Sequence, residues 1–435
     1  MKNNIINIGV VILSILFFVL CSKDSSNNPP LNYSIIKGRI MNFSDSSGID
    51  SANVVLYDAN TNNPVMRLFS DVNGYYCFNV PSGTYFLKVF AQGFFPYPRL
   101  DDAPLPFTSV INDTVIRNVF LFSDSSKTST GKILGTVNFG TSAISGALVV
   151  ALRTTDLFAI STASGPDGIF VFYNIPSGTY HINCYIANYQ QITDTILTVL
   201  PNNTITGINI QITKDSISQL RGKITFLASK NSQVDITLVH PKTKDAIPGL
   251  STINDINNDY LLFGIPPGTY IAWASYRNDG YVMDPDWIRK SGLPIVTFEQ
   301  NDTLKIVNFS VTDAIPIISP TNVADSIFPI PINTSTPTFV WEPYPSAKEY
   351  IIQVFDNHGM LIWGGFDANG VIKHAQINQQ QTSVVFNFDG SAVDTLKNGE
   401  IYRWKVFADN DATPNIQGLI SSSEDLRGLF KVSLP

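Results

Sequence analysis

The chain has 435 residues and a net charge of −7, with 44% apolar but only 14% charged residues. That length suits about three to four domains with ordinary cores. The absence of a basic run excludes the electrostatic footprint of nucleic-acid binding, so no nucleic acid is expected as a partner. Asn, Ser and Thr replace the missing charge, a composition that suits β-sandwich surfaces better than helical ones.

Residues 1–20 read as a targeting segment. Lys2 supplies the positive start, and residues 5–20 are apolar apart from Asn7, Gly9 and Ser14. The run is shorter than the ~20 residues a transmembrane helix needs. It ends in Val19-Leu20-Cys21 and resembles a bacterial lipoprotein signal, although Leu20 stands where a small residue is usual. The following Ser22-Lys23-Asp24 is similar to the acidic signal that exports lipoproteins to the cell surface. The resemblance implies lipidation at Cys21, with membrane attachment through an N-terminal lipid anchor, and an outer-membrane location facing the cell exterior. An ordinary secretory peptide or an uncleaved anchor is the alternative. Residues 21–32, with Ser25-Ser26-Asn27-Asn28 and then Pro29-Pro30, read as a flexible tether.

Next come repeated landmarks. Pro81-Ser82-Gly83-Thr84-Tyr85 recurs at residues 176–180 and, with Pro267 in place of the serine, at residues 266–270. Intervals of roughly 90–95 residues mark a repeat of whole domains. The repeats are expected at 33–123, 131–213 and 218–312. Each opens on a strand containing Gly38, Gly135 or Gly222, and a second apolar strand follows: 52–57, 145–150 and 234–239. Asp71-Val72-Asn73-Gly74 and Gly165-Pro166-Asp167-Gly168 read as hairpin turns, and 254–259 replaces them in the third repeat. Asn112-Asp113, Asn202-Asn203 and Asn301-Asp302 read as turns into the last strand. After the third Gly-Thr-Tyr, residues 278–294 form the longest insertion between landmarks.

These landmarks together resemble the carboxypeptidase regulatory-like domain. The resemblance implies a transthyretin-like β-sandwich for each repeat. It is closest in the first two; the third departs at Asn257-Asn258-Asp259. Residues 314–435 differ. Trp341, the strand 349–354 and the alternation of Tyr402, Trp404, Val406 and Ala408 resemble a fibronectin type III or Ig-like sandwich, with Trp341 between the sheets and Tyr402 at a corner. The expected fold is all-β, as tandem β-sandwiches: three transthyretin-like and one fibronectin type III-like. No region shows a sustained helical period.

Chemistry is sparse. The four histidines, His181, His240, His358 and His374, lack metal-ligand spacing. Asp101-Asp102 and Asp284/Asp286 read as solvated loop acids rather than a glycosidase pair. Asp71/Asn73 and the acids and amides of 254–259 read as Asx turns rather than calcium loops. Cys77 and Cys184 read as small buried hydrophobes. No catalytic residue, metal or other cofactor is expected. Trp273, Tyr276, Tyr281 and Trp287 are candidate rings for stacking on sugars, set against the more ordinary role of closing the sandwich ends or packing between domains. The function expected is a non-enzymatic surface lipoprotein acting as an adhesion, scaffold or spacer module. The alternative is a carbohydrate-binding surface lipoprotein that serves outer-membrane polysaccharide uptake. The partners expected are a polysaccharide or other surface proteins.

Overall fold

The computed structural model describes residues 33–435 except 60–63, 99–105, 125–128, 215–217, 228–232, 275–279, 324–328, 357–360, 368, 412–417 and 426. The targeting segment, the tether and Cys21 lie outside these residues.

Each repeat opens on a long strand flanked closely on both sides. Ser34–Asn42 pairs antiparallel with Tyr75–Val80 and parallel with Thr114–Ile116 and Val119–Leu121. Gly131–Phe139 does the same with Ile169–Ile175 and Thr204–Lys214. Gln219–Phe226 repeats it with Asp259–Phe263, Leu304–Ile306 and Phe309–Asp313. The central glycine is a steric requirement. A Cβ on Gly38 would lie 1.8 Å from the Arg117 carbonyl oxygen, and one on Gly222 would lie 1.8 Å from that of Val307. Both carbonyls also accept a tyrosine hydroxyl, Tyr76 at 2.6 Å and Tyr260 at 2.7 Å.

The second sheet of each repeat has four strands. In the first repeat the order is Pro64–Phe69, Asn53–Asp58, Gly83–Phe90, Phe107–Ser109. In the second it is Ala159–Ala163, Leu148–Arg153, Gly178–Tyr185, Thr195–Val199. In the third it is Ala246–Ile253, Asp235–Val239, Gly268–Ala274, Ile295–Phe298. The Gly-Thr-Tyr landmark starts the third strand in each order. Its tyrosine turns into the core and closes the turn behind it. Tyr85, Tyr180 and Tyr270 donate to the carbonyls of Pro81, Pro176 and Pro266 at 3.1, 2.8 and 2.8 Å.

The hairpin turns are closed by carboxylates. Asp71 accepts from the amides of Asn73 and Tyr75 at 2.9 and 2.8 Å, and Asp255 from those of Asn257 and Asp259 at 2.8 and 2.9 Å. Asn258, at φ 65°, takes the left-handed place that Gly74 holds at 84°. Asn tolerates that region better than other side chains do, so the third repeat keeps the turn without the glycine.

The fourth sandwich packs a three-stranded sheet centred on Thr338–Trp341 against a larger one built on Glu349–Phe355 and Ile401–Asp409. Trp341, Tyr350, Trp404 and Phe339 are fully buried between them. The Tyr402 hydroxyl accepts from the Lys397 amide at 2.8 Å, tying the corner before its strand. Trp404 donates to the Pro320 carbonyl at 2.6 Å. The fold is therefore all-β, in tandem β-sandwiches. The described residues hold one short helix, Pro285–Ser291, inside the third-repeat insertion, where the sequence shows no helical period.

The sandwiches are not independent beads. In a sandwich with one wet face, strands alternate between buried and exposed residues. Asn53–Asp58 and Leu148–Arg153 do not: Asn53 to Tyr57 and Leu148 to Ala151 are all buried. Val54 and Leu56 face their own core, whereas Val55 and Tyr57 join Phe86 and Ala163 in a separate cluster between the first and second sandwiches. Leu148 and Val150 leave the second core and join that of the third. The third and fourth sandwiches meet through Ser421, which donates to the Asp313 carbonyl at 2.6 Å, and through Thr312 and Tyr344 at 2.7 Å. The Lys431 ammonium lies 3.8 Å from the Phe43 ring centroid, so the fourth sandwich also touches the first.

Candidate functional site

The aromatic residues of the third repeat occupy three different settings. Trp273 lies on the outward face of Gly268–Ala274, opposite Thr237, half-buried, with the Lys244 ammonium 6.0 Å from its ring centroid. Tyr281 is buried, edge-on to Phe226 with ring centroids 5.8 Å apart. Trp287 sits on the helix and packs half-buried against the core. Tyr276 lies outside the described residues. Trp273, Tyr281 and Trp287 do not stack on one another.

The helix that carries Trp287 is specified locally. Asp284 caps its start by accepting from the Asp286 amide, Pro285 opens the first turn, and Gly292 at φ 77° ends it. Asp286 pairs with Arg289 at 2.6 Å and with Lys290. Asp284 is itself buried and accepts from the Ser310 hydroxyl at 3.0 Å. These two acids are a cap and an ion-pair partner, which accounts for both carboxylates without chemistry.

Two histidines are interior structural groups. The Nδ1 of His240 accepts from the amides of Lys242 and Thr243 at 3.3 and 3.2 Å, and burial pulls its pKa down to about 4. His374 accepts from the Ile352 amide at 3.0 Å through Nε2, and burial lowers its pKa as well. Both are therefore neutral rings at pH 7. His181 lies half-buried on a strand, and His358 lies outside the described residues. Among the described residues no group of three or more His, Cys, Asp or Glu could hold a metal ion. Cys184 is buried and its thiol is pushed up to about 12 by burial, far from the range of a reactive thiolate. Cys77 is instead half-buried on the outward face of its strand and disulfide-bonded, so it is not a small buried hydrophobe.

A feature that the sequence reading missed is the cleft between the first and second sandwiches, of about 560 Å³. It is lined by Ser47–Ser51, Gln92 and Phe94 from the first and by Thr130–Lys132, Tyr173 and Asn202–Thr204 from the second. Its walls are fixed. The Tyr173 hydroxyl donates to the Ser51 carbonyl at 3.0 Å, and Arg67 pairs with Asp167 at 2.6 Å. Lys132 spans both sandwiches, its ammonium 4.7 Å from the Tyr173 ring centroid and 5.9 Å from that of Phe69. Of its lining only Asn202-Asn203 belongs to a landmark turn; five separate segments come together there only in the fold.

No family model and no curated protein matches the chain. Among solved structures, the Bacillus anthracis TIE protein aligns at 14% identity over 65% of this chain and 51% of that one, with a TM-score of 0.18. The chain thus spans about half the length of that protein. A streptococcal ancillary pilin aligns at 12% identity over 64% of this chain and 99% of its own, with a TM-score of 0.19. BcpA, the major pilin subunit of Bacillus cereus, aligns at 12% over 65% and 100%, with a TM-score of 0.18. Likenesses this slight carry no argument about function.

Proposed function

We propose that the chain is a non-enzymatic cell-surface lipoprotein that acts as a scaffold or adhesion platform. The observation that carries this reading is the covering of the second-sheet faces by neighbouring sandwiches. Val55 and Tyr57 are buried against the second sandwich, and Leu148 and Val150 against the third. Such packing fixes the relative positions of whole domains, as a platform requires. The contact of Lys431 with Phe43 brings the first and last sandwiches together, which favours a platform over an extended spacer. The lipoprotein part of the reading rests on the apolar segment 5–20 and Cys21. No helix of the described residues is long and apolar enough to cross a membrane.

The test uses intact cells that produce the wild-type chain or Cys21→Ala. Surface protease accessibility, lipid labelling and attachment to a surface are measured together. The expected result is labelling and surface exposure that both vanish in Cys21→Ala, with attachment reduced in parallel. Unchanged labelling in Cys21→Ala would sink the anchor. Attachment equal to that of cells lacking the protein would sink the adhesion role.

A further inference from the structure

We propose that the cleft between the first two sandwiches binds a neutral polysaccharide segment, with Lys132, Asn202, Asn203 and Asp50 as its hydrogen-bonding residues. The cleft's volume of about 560 Å³ lies within the range of small-ligand sites, which favour domain junctions.

Its polar groups are present and unspent. The Lys132 ammonium has three N–H donors, yet among the described residues it faces only the rings of Tyr173 and Phe69. Burial lowers its pKa, so the ammonium is partly stripped of water without gaining a carboxylate partner. The exposed side chains of Asn202 and Asn203 make no hydrogen bond within the described chain, and their turn holds them at the rim, with Asn202 at φ 55°. Asp50 stands exposed on the opposite wall.

The set discriminates between ligand classes. One cation and one carboxylate leave no net charge to favour an anion, and Asp50 would repel one. Ammonium donates only, carboxylate accepts only, and amides do both. A ligand meeting all three must offer groups that donate and accept at closely spaced points, as the hydroxyls of a sugar chain do. The half-buried Phe94 ring supplies an apolar wall for the C–H face of a sugar. By contrast, the fixed contacts of Gln92, which donates to Thr130 at 3.0 Å and accepts from the Asn174 amide at 3.3 Å, hold the floor in shape. The inference needs surface display only for access to such polymers, and an assay on the purified chain separates the two.

The experiment is affinity electrophoresis of the full chain in gels containing an α-glucan, a β-glucan, a mannan, a xylan or a polyuronate. Lys132→Ala, Asn202→Ala with Asn203→Ala, and Trp273→Ala are run beside the wild type, and thermal unfolding checks that each variant folds. The expected result is retardation by at least one neutral polymer. It should weaken at least tenfold in the Lys132 and Asn202/Asn203 variants and persist in Trp273→Ala. Retardation by no polymer, by the polyuronate alone, or with loss only in Trp273→Ala would overturn the proposal.

Discussion

Asn174 is locked onto Gly93 across the boundary between the first two sandwiches. Its Oδ1 accepts from the Gly93 amide at 2.6 Å, and its Nδ2 donates to the carbonyls of Ala91 and Phe94, both at 3.0 Å. Asn174 stands two residues before the second Pro-Ser-Gly-Thr-Tyr, at φ 55°. The matching residue of the third repeat, Gly264 at φ 71°, accepts at its carbonyl from the Asn188 amide at 2.7 Å. One position in the repeat therefore docks the second and third sandwiches, each onto a loop of the one before it. In Gly264 the side chain is absent because a Cβ would lie 2.2 Å from the Asn188 Oδ1.

Asn174→Ala removes all three side-chain bonds and leaves a residue less suited to positive φ. The expected cost is about 2–3 kcal/mol, mostly from carbonyls and an amide left unpaired at a half-buried junction. Hydrogen exchange reads it directly. The Gly93 amide should exchange at least tenfold faster, while amides in the core of the fourth sandwich keep their rates. An unchanged Gly93 rate would show that the junction does not depend on Asn174.

The opening-strand glycine gives a larger effect. Gly222→Ala would place a methyl group 1.8 Å from the Val307 carbonyl oxygen, a backbone atom that cannot swing away. The expected loss is about 3 kcal/mol or more, as for severe overpacking. It should appear in calorimetry as a lowered unfolding temperature that the second sandwich shares, because Leu148 and Val150 pack in the third core. A single transition at the wild-type temperature would contradict the close approach.

What was legible in the sequence follows from these cases. Gly38 and Gly222, the Gly-Thr-Tyr turns and the alternation of Tyr402, Trp404, Val406 and Ala408 are local patterns with local causes, and they announce strands and turns. The continuous apolar runs Val54-Val55-Leu56-Tyr57 and Leu148-Val149-Val150-Ala151 also carried a message, since strands buried on both faces do not alternate. The sequence reading took them only as strands, and which surface covers their outer face depends on how the domains meet. The cleft at Lys132 was not legible for the same reason. Its walls come from segments far apart in the chain. The helix Pro285–Ser291 escaped because seven residues give too few turns for a period to show.

The rings of the third repeat separate two roles. Trp273 and Trp287 both pack half-buried on the core cluster. Each changed to alanine should cost about 2–3 kcal/mol, somewhat below the figure for a fully buried ring. The measurement is the midpoint of denaturant unfolding followed by a signal of the third sandwich. Variants with wild-type midpoints but lost polysaccharide retention would instead make these rings a stacking platform.

The buried His240 makes the junction between the second and third sandwiches sensitive to acid. Its ring lies 5.6 Å from that of Tyr185, which belongs to the second sandwich. Its Nδ1 accepts two backbone amides, which requires an unprotonated nitrogen. The groups around it include Asp245, which favours the charged ring, and Lys242 and Lys244, which oppose it, but burial is the largest influence. The folded pKa of about 4 lies below the ordinary 6.5. Between these values the unfolded chain binds a proton that the folded chain does not, so stability falls as pH drops from 6.5 to 4 and levels off below. The full effect is on the order of 3 kcal/mol. His240→Asn keeps an acceptor for the two amides and removes the titration. Unfolding midpoints measured between pH 7 and pH 4 should therefore fall less steeply in this variant than in the wild type, because the acidic residues they share contribute equally to both. Parallel slopes for the two proteins would remove His240 from the account of acid sensitivity.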